Sequence, residues 1–194
     1  MTVLDTANRG LSRDQLRRRY RSDLAGALSE AGSGPVLVHS DVSRVMSAIV
    51  PDRSPQVLLN RHLELLEEVA GERPLWFPTF NYDFTRSGQF NVSGDSSQVG
   101  ALSEFARVSF ARWRTPIPVF SMAGSGPIPQ PILARELDPF GAHSAFATLV
   151  DLDGVILFHG AGLRSCTAIH HAERMAEGPV YRYDKFFAGE VVDL

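Results

Sequence analysis

The residues with the most potential chemistry crowd into Thr167-Ala168-Ile169-His170-His171-Ala172-Glu173. On a helix, His170 and Glu173 stand three apart and share a face. A carboxylate beside an imidazole fixes its tautomer and favours proton uptake. That suits a general base acting on an amine or a hydroxyl. The same spacing also describes a plain ion pair on a helix surface. His171 points off that face, toward a structural role. Cys166 stands four positions before His170, a spacing open to zinc or to a cysteine nucleophile activated by histidine. Further ligands at a recognisable spacing are lacking, so no metal is expected. A lone cysteine near a helix start is commonly a small packed residue.

Two other stretches could hold ligands. His39-Ser40-Asp41-Val42-Ser43 follows directly on an apolar run. Backbone N–H groups and hydroxyls in a strand-to-helix loop can cradle a phosphate. No Walker loop or GxGxxG is present, and an ordinary turn has the same composition. Pro78 to Phe84, with Ser96 to Glu104, combines rings with the acidic Asp83 and Glu104. Carboxylates pair with an ammonium and rings such as Tyr82 stack on sugar faces, which suits a cationic amino sugar. An ordered loop folded over the core would use the same residues.

These groups need elements to position them. Ser12 and Gln15 have capping-box spacing with Leu11 before them, and Leu16, Tyr20, Leu24 and Leu28 follow four apart. A helix is expected there, ended by Gly32 and Gly34, with the run Arg17 to Arg21 on its solvated face. Pro35 to Ser40 reads as a buried strand, Pro55 to Val69 as a helix, and Leu75 to Pro78 as a strand. A long loop from Thr79 to Val99 precedes a helix from Gly100 to Phe110. Strands are expected at Val119–Ala123 and Val155–His159, then a helix from about Ser165 to Glu177. The tail, Tyr181 to Leu194, reads as a hairpin around Gly189. Such alternation predicts an α/β layered fold with a central mixed sheet. Ligands then gather at strand carboxyl ends, after His39, Phe77 and Gly160.

Composition narrows the function. The 194 residues are 44% hydrophobic and 21% charged, a globular balance that excludes a disordered chain. The formal charge of −3 disfavours nucleic acid as a partner. No apolar run approaches the roughly 18 residues of a membrane span. Met1 to Gly10 lacks an apolar signal core, and the single cysteine leaves no internal disulfide to form. A reducing cytoplasm is therefore the expected location.

Taken in order, several segments resemble the aminoglycoside 3-N-acetyltransferase family. They are Leu37 to Ser43, Phe77 to Phe80, Ser97 to Glu104, Pro118 to Ser121, Asp138 to Ser144, Thr167 to Glu173, Tyr181-Arg182-Tyr183 and Lys185. The resemblance runs from the first helix to Phe187. It implies a three-layer α/β/α sandwich and transfer of an acetyl group from acetyl-CoA, without metal, to the amine of a small-molecule acceptor. It implies His170 as catalytic base and Glu173 as its orienting carboxylate. His39, Ser40, Asp41, Val42 and Ser43, with Phe120 and Ser121, correspond to the CoA side. Tyr82, Asp83 and Glu104 are the candidates for the acceptor side. Antibiotic resistance is the associated role.

Three departures stand out. Arg114-Thr115-Pro116-Ile117-Pro118 replaces the family's Arg-Ser-x-His-Pro, and Ala145 replaces a usual proline. A single domain over 1–194 is also shorter than family chains, which continue with further strands and a helix. Uncovered edges would leave room for a homodimer. A family-like binding or structural protein without catalysis is the alternative reading.

Overall fold

The computed structural model describes residues 11–49, 54–130, 137–176 and 178–192. The reading of Met1–Gly10, the expected helix end at Glu177 and the last two residues of the tail lie outside them.

Helix α1 is Arg13–Ser29. Its capping box forms: Gln15 N–H donates to Ser12 Oγ at 3.3 Å, and Ser12 N–H donates to Gln15 Oε1 at 2.7 Å. The helix stops at Ser29, ahead of Gly32 and Gly34. Leu24 and Leu28 are buried, while Arg17, Arg18, Arg19 and Arg21 are exposed, with Arg21 paired to Glu68. Strand β1, Val36–Ser40, leads into helix α2, Val42–Ile49. Helix α3, Pro55–Ala70, begins on its proline, which lacks only an N–H that would be unpaired anyway. Strand β2 is Leu75–Pro78.

The expected loop 79–99 contains more structure than its composition suggests: a single helical turn α4, Phe84–Ser87, and strand β3, Gln89–Asn91. Helix α5 is Ala101–Ser109, and strands β4, Trp113–Arg114, and β5, Met122–Gly124, follow. Strand β5 starts three residues later than expected. Val119 has a φ of 56°, a conformation that a β-branched residue cannot carry into a strand. Helix α6, Ala145–Asp151, was not foreseen. Phe146, Ala147, Thr148 and Leu149 are all buried, so it shows no apolar stripe. Ser144 caps it, and Ala145 takes its first position, where the family's proline would fit equally well. Strand β6, Val155–His159, a 3₁₀ turn at Leu163–Ser165, helix α7, Ile169–Met175, and strand β7, Glu190–Val192, complete the order.

Among the described residues the main sheet has the order β4-β5-β2-β1-β6. Strand β1 is parallel to β2 and β6, and β5 is antiparallel to β2 and β4. The tail does not form the expected hairpin. Strand β7 instead pairs in parallel with β3, because Phe90 is fully buried there and Glu190 N–H bonds to Gly88 O at 2.8 Å.

Alternating side chains divide the core into two layers. Val36, Val38, Leu75 and Phe77 face α1, α3 and α5 through Leu24, Leu28, Leu63, Leu66, Leu102 and Ala106. Leu37 and Trp76 face the other way, onto Met122 and onto Phe146 and Leu149 of α6. A mixed sheet therefore lies between helical layers, as the alternation and the resemblance both predict.

Candidate active site

One cleft opens at the carboxyl ends of β1 and β6, and another lies beside α7. The first, of about 1000 Å³, is lined by residues 40–44, Asp41 among them, from one side, and by Gly100, Ala101 and residues 161–165 from the others. Helices α2 and α5 both begin on its wall. Their first N–H groups have no carbonyl one turn back, and so point toward anions. The loops after β1 and β6 lie directly against each other. A Cβ on Gly160, whose φ is +77°, would stand 2.4 Å from Asp41 O.

The expected phosphate loop is only partly available. Asp41 N–H donates to His159 O at 2.9 Å. Its carboxylate takes hydrogen bonds from Ser43 Oγ at 2.5 Å and Arg44 Nε at 3.0 Å. The Ser43 bond, with Arg44 in support, holds this carboxyl below the usual range. The Ser43 N–H also bonds to the Asp41 carboxylate, which leaves the N–H of Val42 facing the cleft. His39 does not line the cleft. It is buried within β1, stacked on Phe158 at 5.7 Å, with its Nε2 unpartnered. Burial pushes its pKa down to about 4. Ser121 is also inside the protein, donating to Thr79 O at 2.6 Å.

The second cleft, of about 330 Å³, is lined by Phe120, Phe140, His170, Glu173, Arg174 and Arg182, among others. His170 sits on the first turn of α7, its ring edge-on to Phe140 at 5.2 Å. Its Nδ1 is 3.1 Å from Glu173 Oε2, so the expected pair forms. Tyr181 donates to Glu173 Oε1 at 3.1 Å, and Arg182 reaches Oε2 at 2.9 Å. His170, then Tyr181 and the charge of Arg182, all close to the carboxylate, hold the Glu173 carboxyl below its ordinary range. Arg174 turns away, to Asp138 and Asp184 at 3.1 Å each. His171 is buried and donates Nδ1–H to Phe140 O at 2.8 Å.

The two clefts share no lining residue. One stretch of chain connects them, since Leu163 to Ser165 line the first and His170 the second. Phe120 belongs to the His170 cleft rather than to the Ser40 cleft, against expectation. Ile117 borders a narrow pocket beside it, with Thr115, Phe120 and Asp138.

Tyr82, Asp83 and Glu104 do not converge on His170. Glu104 is gripped by Arg107 through Nε and Nη2, at 2.8 and 2.7 Å, and by Ser97 N–H at 2.6 Å. Asp83 pairs with Arg86 and accepts from Gln98 at 2.7 Å, while Tyr82 N–H bonds to Gln98 Oε1. Their charges and amides are spent on ordering the 79–99 loop. Sequence reasoning gave no role to Arg164, Arg174 or Arg182. Only the Tyr181-Arg182-Tyr183 segment had been noticed, as part of the resemblance. Among the described residues no group of three or more His, Cys, Asp or Glu side chains is placed to hold a metal ion. Nor is any described helix long and apolar enough to cross a membrane.

Comparison with known proteins places this chain in one family. The sequence model of the aminoglycoside 3-N-acetyltransferases matches residues 37–193, and the chain belongs to that family. Among solved structures it is similar to AAC-IIIb in binary complex with CoASH, at 23% identity and a TM-score of 0.63, over 80% of this chain and 64% of that one. It is similar to the apoenzyme of the aminoglycoside acetyltransferase AAC(3)-IVa, at 25% identity and a TM-score of 0.61, over 81% and 61% of the two chains. The YokD protein from Bacillus subtilis matches at 20% identity and a TM-score of 0.60, over 80% and 65%. The chain thus spans less than two thirds of the length of each. No protein with a curated description matches the sequence.

Proposed function

We propose that this chain transfers an acetyl group from acetyl-CoA to the amine of an amino-sugar-like acceptor, with His170 as general base. The observation that carries the reading is the 3.1 Å pairing of His170 Nδ1 with Glu173 on the wall of a cleft flanked by Phe120 and Phe140. Membership of the family supplies the reaction class.

The chemistry needs little else. An ammonium must lose a proton before it can attack a thioester, so a base at the acceptor amine lowers the barrier. Glu173 orients the ring through Nδ1–H, which leaves Nε2 to take the proton. The amine nitrogen bonds to the acyl carbon and the carbon–sulfur bond breaks; of the two protons the ammonium gives up, one leaves to solvent and the other passes through Nε2 to the departing thiolate.

The Ser40 cleft suits a phosphate-bearing substrate. Two helix N-termini, Arg44 and Arg164 line it, and Gly100 and Gly160 let the chain pass close to the backbone of Ser40 and Asp41. Of the original set, Ser40 and Val42 remain the candidates there for the CoA phosphates, since the hydroxyl and the N–H of Ser43 are both bonded to Asp41. A second reading, ligand binding without turnover, draws on the separation of the two clefts.

Thermal unfolding with CoA tests the proposal. Saturation at about a hundred times Kd stabilises by about 2.7 kcal/mol, a rise of roughly 5–10 °C for a chain of this size. No shift at millimolar CoA overturns it. A shift without acetylation of any amine in a broad panel selects the second reading.

A further inference from the structure

Three heavy atoms form a triangle in the His170 cleft. His170 Nδ1 lies 3.1 Å from Glu173 Oε2 and 2.8 Å from Arg182 Nη2, and those two partners are 2.9 Å apart. Each side has hydrogen-bond length, yet the three cannot all be bonds at once. Glu173 only accepts and Arg182 only donates. A ring nitrogen either donates to the carboxylate or accepts from the guanidinium. The two hydrogens on Nη2 can serve Glu173 and His170 together, which satisfies the two shorter sides. That solution requires Nδ1 to be bare, so the ring proton sits on Nε2.

We infer that Arg182 is a positioning residue that holds His170 in its Nε2–H tautomer, and that base catalysis requires Arg182 to move off Nδ1. The inference rests on the base role proposed above, because a base needs a bare Nε2. That nitrogen has no hydrogen-bond partner among the described residues, so it is the one left to meet an acceptor. While Arg182 bonds to Nδ1, Nε2 already carries a proton. Once Arg182 withdraws, Nδ1–H turns to Glu173 and Nε2 is freed.

The surroundings allow this movement. The Arg182 side chain is 47% exposed and lies over the Tyr181 ring at 5.5 Å, outside the core. Glu173 keeps Tyr181 as a donor after Arg182 leaves. The other charged groups facing the triangle are Arg174 on α7 and Asp138 and Asp184 from the flanking segments. They are committed to one another, so no second guanidinium replaces Arg182 at Nδ1.

Nitrogen NMR of the full chain with ¹⁵N-labelled histidine tests the inference near neutral pH. His170→Gln assigns the signals by their loss. The wild type is expected to show a pyridine-type Nδ1 and a pyrrole-type Nε2 for His170, and Arg182→Gln to exchange the two. A pyrrole-type Nδ1 in the wild type, or an unchanged spectrum in Arg182→Gln, overturns it. This readout decides the tautomer whether or not acetyl transfer is found. Turnover with acetyl-CoA on the same samples reports separately on His170 as base. Where the wild type turns over, Arg182→Gln is expected to raise kcat, because Nδ1 no longer has to be vacated. A kcat that does not rise, together with exchanged signals, overturns the requirement that Arg182 move.

Discussion

The Tyr20 hydroxyl lies 2.8 Å from Nδ1 of His159, joining helix α1 to the end of strand β6. His159 continues the chain, its Nε2 standing 2.8 Å from Nδ1 of His62 on α3. His159 and His62 are both fully buried. Burial lowers the pKa of His159 to about 3 and of His62 to about 4, and for His159 the neighbouring His62 adds to the effect.

These depressed values predict acid sensitivity. In the unfolded chain the histidines return to about 6.5 and bind protons that the folded state refuses. Stability is complete above about pH 6.5 and falls as pH drops toward 4 and then 3. The slope is of order 1 kcal/mol per pH unit for each histidine. Urea unfolding at pH 7.5 and pH 5 checks this, and equal midpoints would contradict it. His159→Phe should flatten the dependence.

Gly160 and Gly162 make a matched pair. Gly160→Ala places a Cβ 2.4 Å from Asp41 O at a φ of +77°, whereas at Gly162 nothing lies within 4 Å. Strain of this kind costs about 1–3 kcal/mol. Gly160→Ala is expected to lower Tm and to reduce the CoA-induced shift by displacing the loop after β1. Gly162→Ala should leave Tm nearly unchanged. Equal melting of the two variants would refute the role of this contact.

Arg114 clamps the 79–99 loop. Its guanidinium reaches Thr79 O at 2.6 Å, Val92 O at 3.0 Å and Asp95 O at 2.5 Å, and Nε lies 3.2 Å from Thr79 Oγ1 and Ser121 Oγ. Burial, then the charge of Arg107, lowers its pKa to about 10, so it stays charged at neutral pH. Arg114→Met should cost at least about 2 kcal/mol by taking this donor from Val92 O and Asp95 O, while Thr79 O keeps the Ser121 hydroxyl. Arg114→Lys should recover little, since an ammonium cannot span the same fork of acceptors. Chemical denaturation of both variants measures this.

His170→Ala separates base from binding. Acetyl transfer is expected to fall by about 10²–10⁴-fold, while the thermal shift with CoA is kept. Retained turnover would remove the base assignment.

The family, the layer order and the His170–Glu173 pair were legible in the sequence. They depend on local rules: a capping box at Ser12, short β-branched runs such as Val36 to Val38, and an i, i+3 spacing. Where such rules ran out, so did the reading. Helix α6 is buried over four consecutive residues and carries no stripe. Strand β7 finds its partner about a hundred positions away. Tyr82, Asp83 and Glu104 have the chemistry of an amine site, yet Arg86, Gln98 and Arg107 fold back to neutralise and bridge them.

Composition and spacing alone determined which residues could act as base, carboxylate and phosphate loop, because those roles follow from side-chain chemistry and the period of a helix. Only the tertiary structure decided which of them meet. It sealed His39 and Ser121 inside, set the Ser40 and His170 clefts apart, and brought Arg182 to His170 across twelve positions. Such meetings depend on how the chain closes on itself, and a linear pattern of residue types does not encode hydrogen-bond competition at a distance.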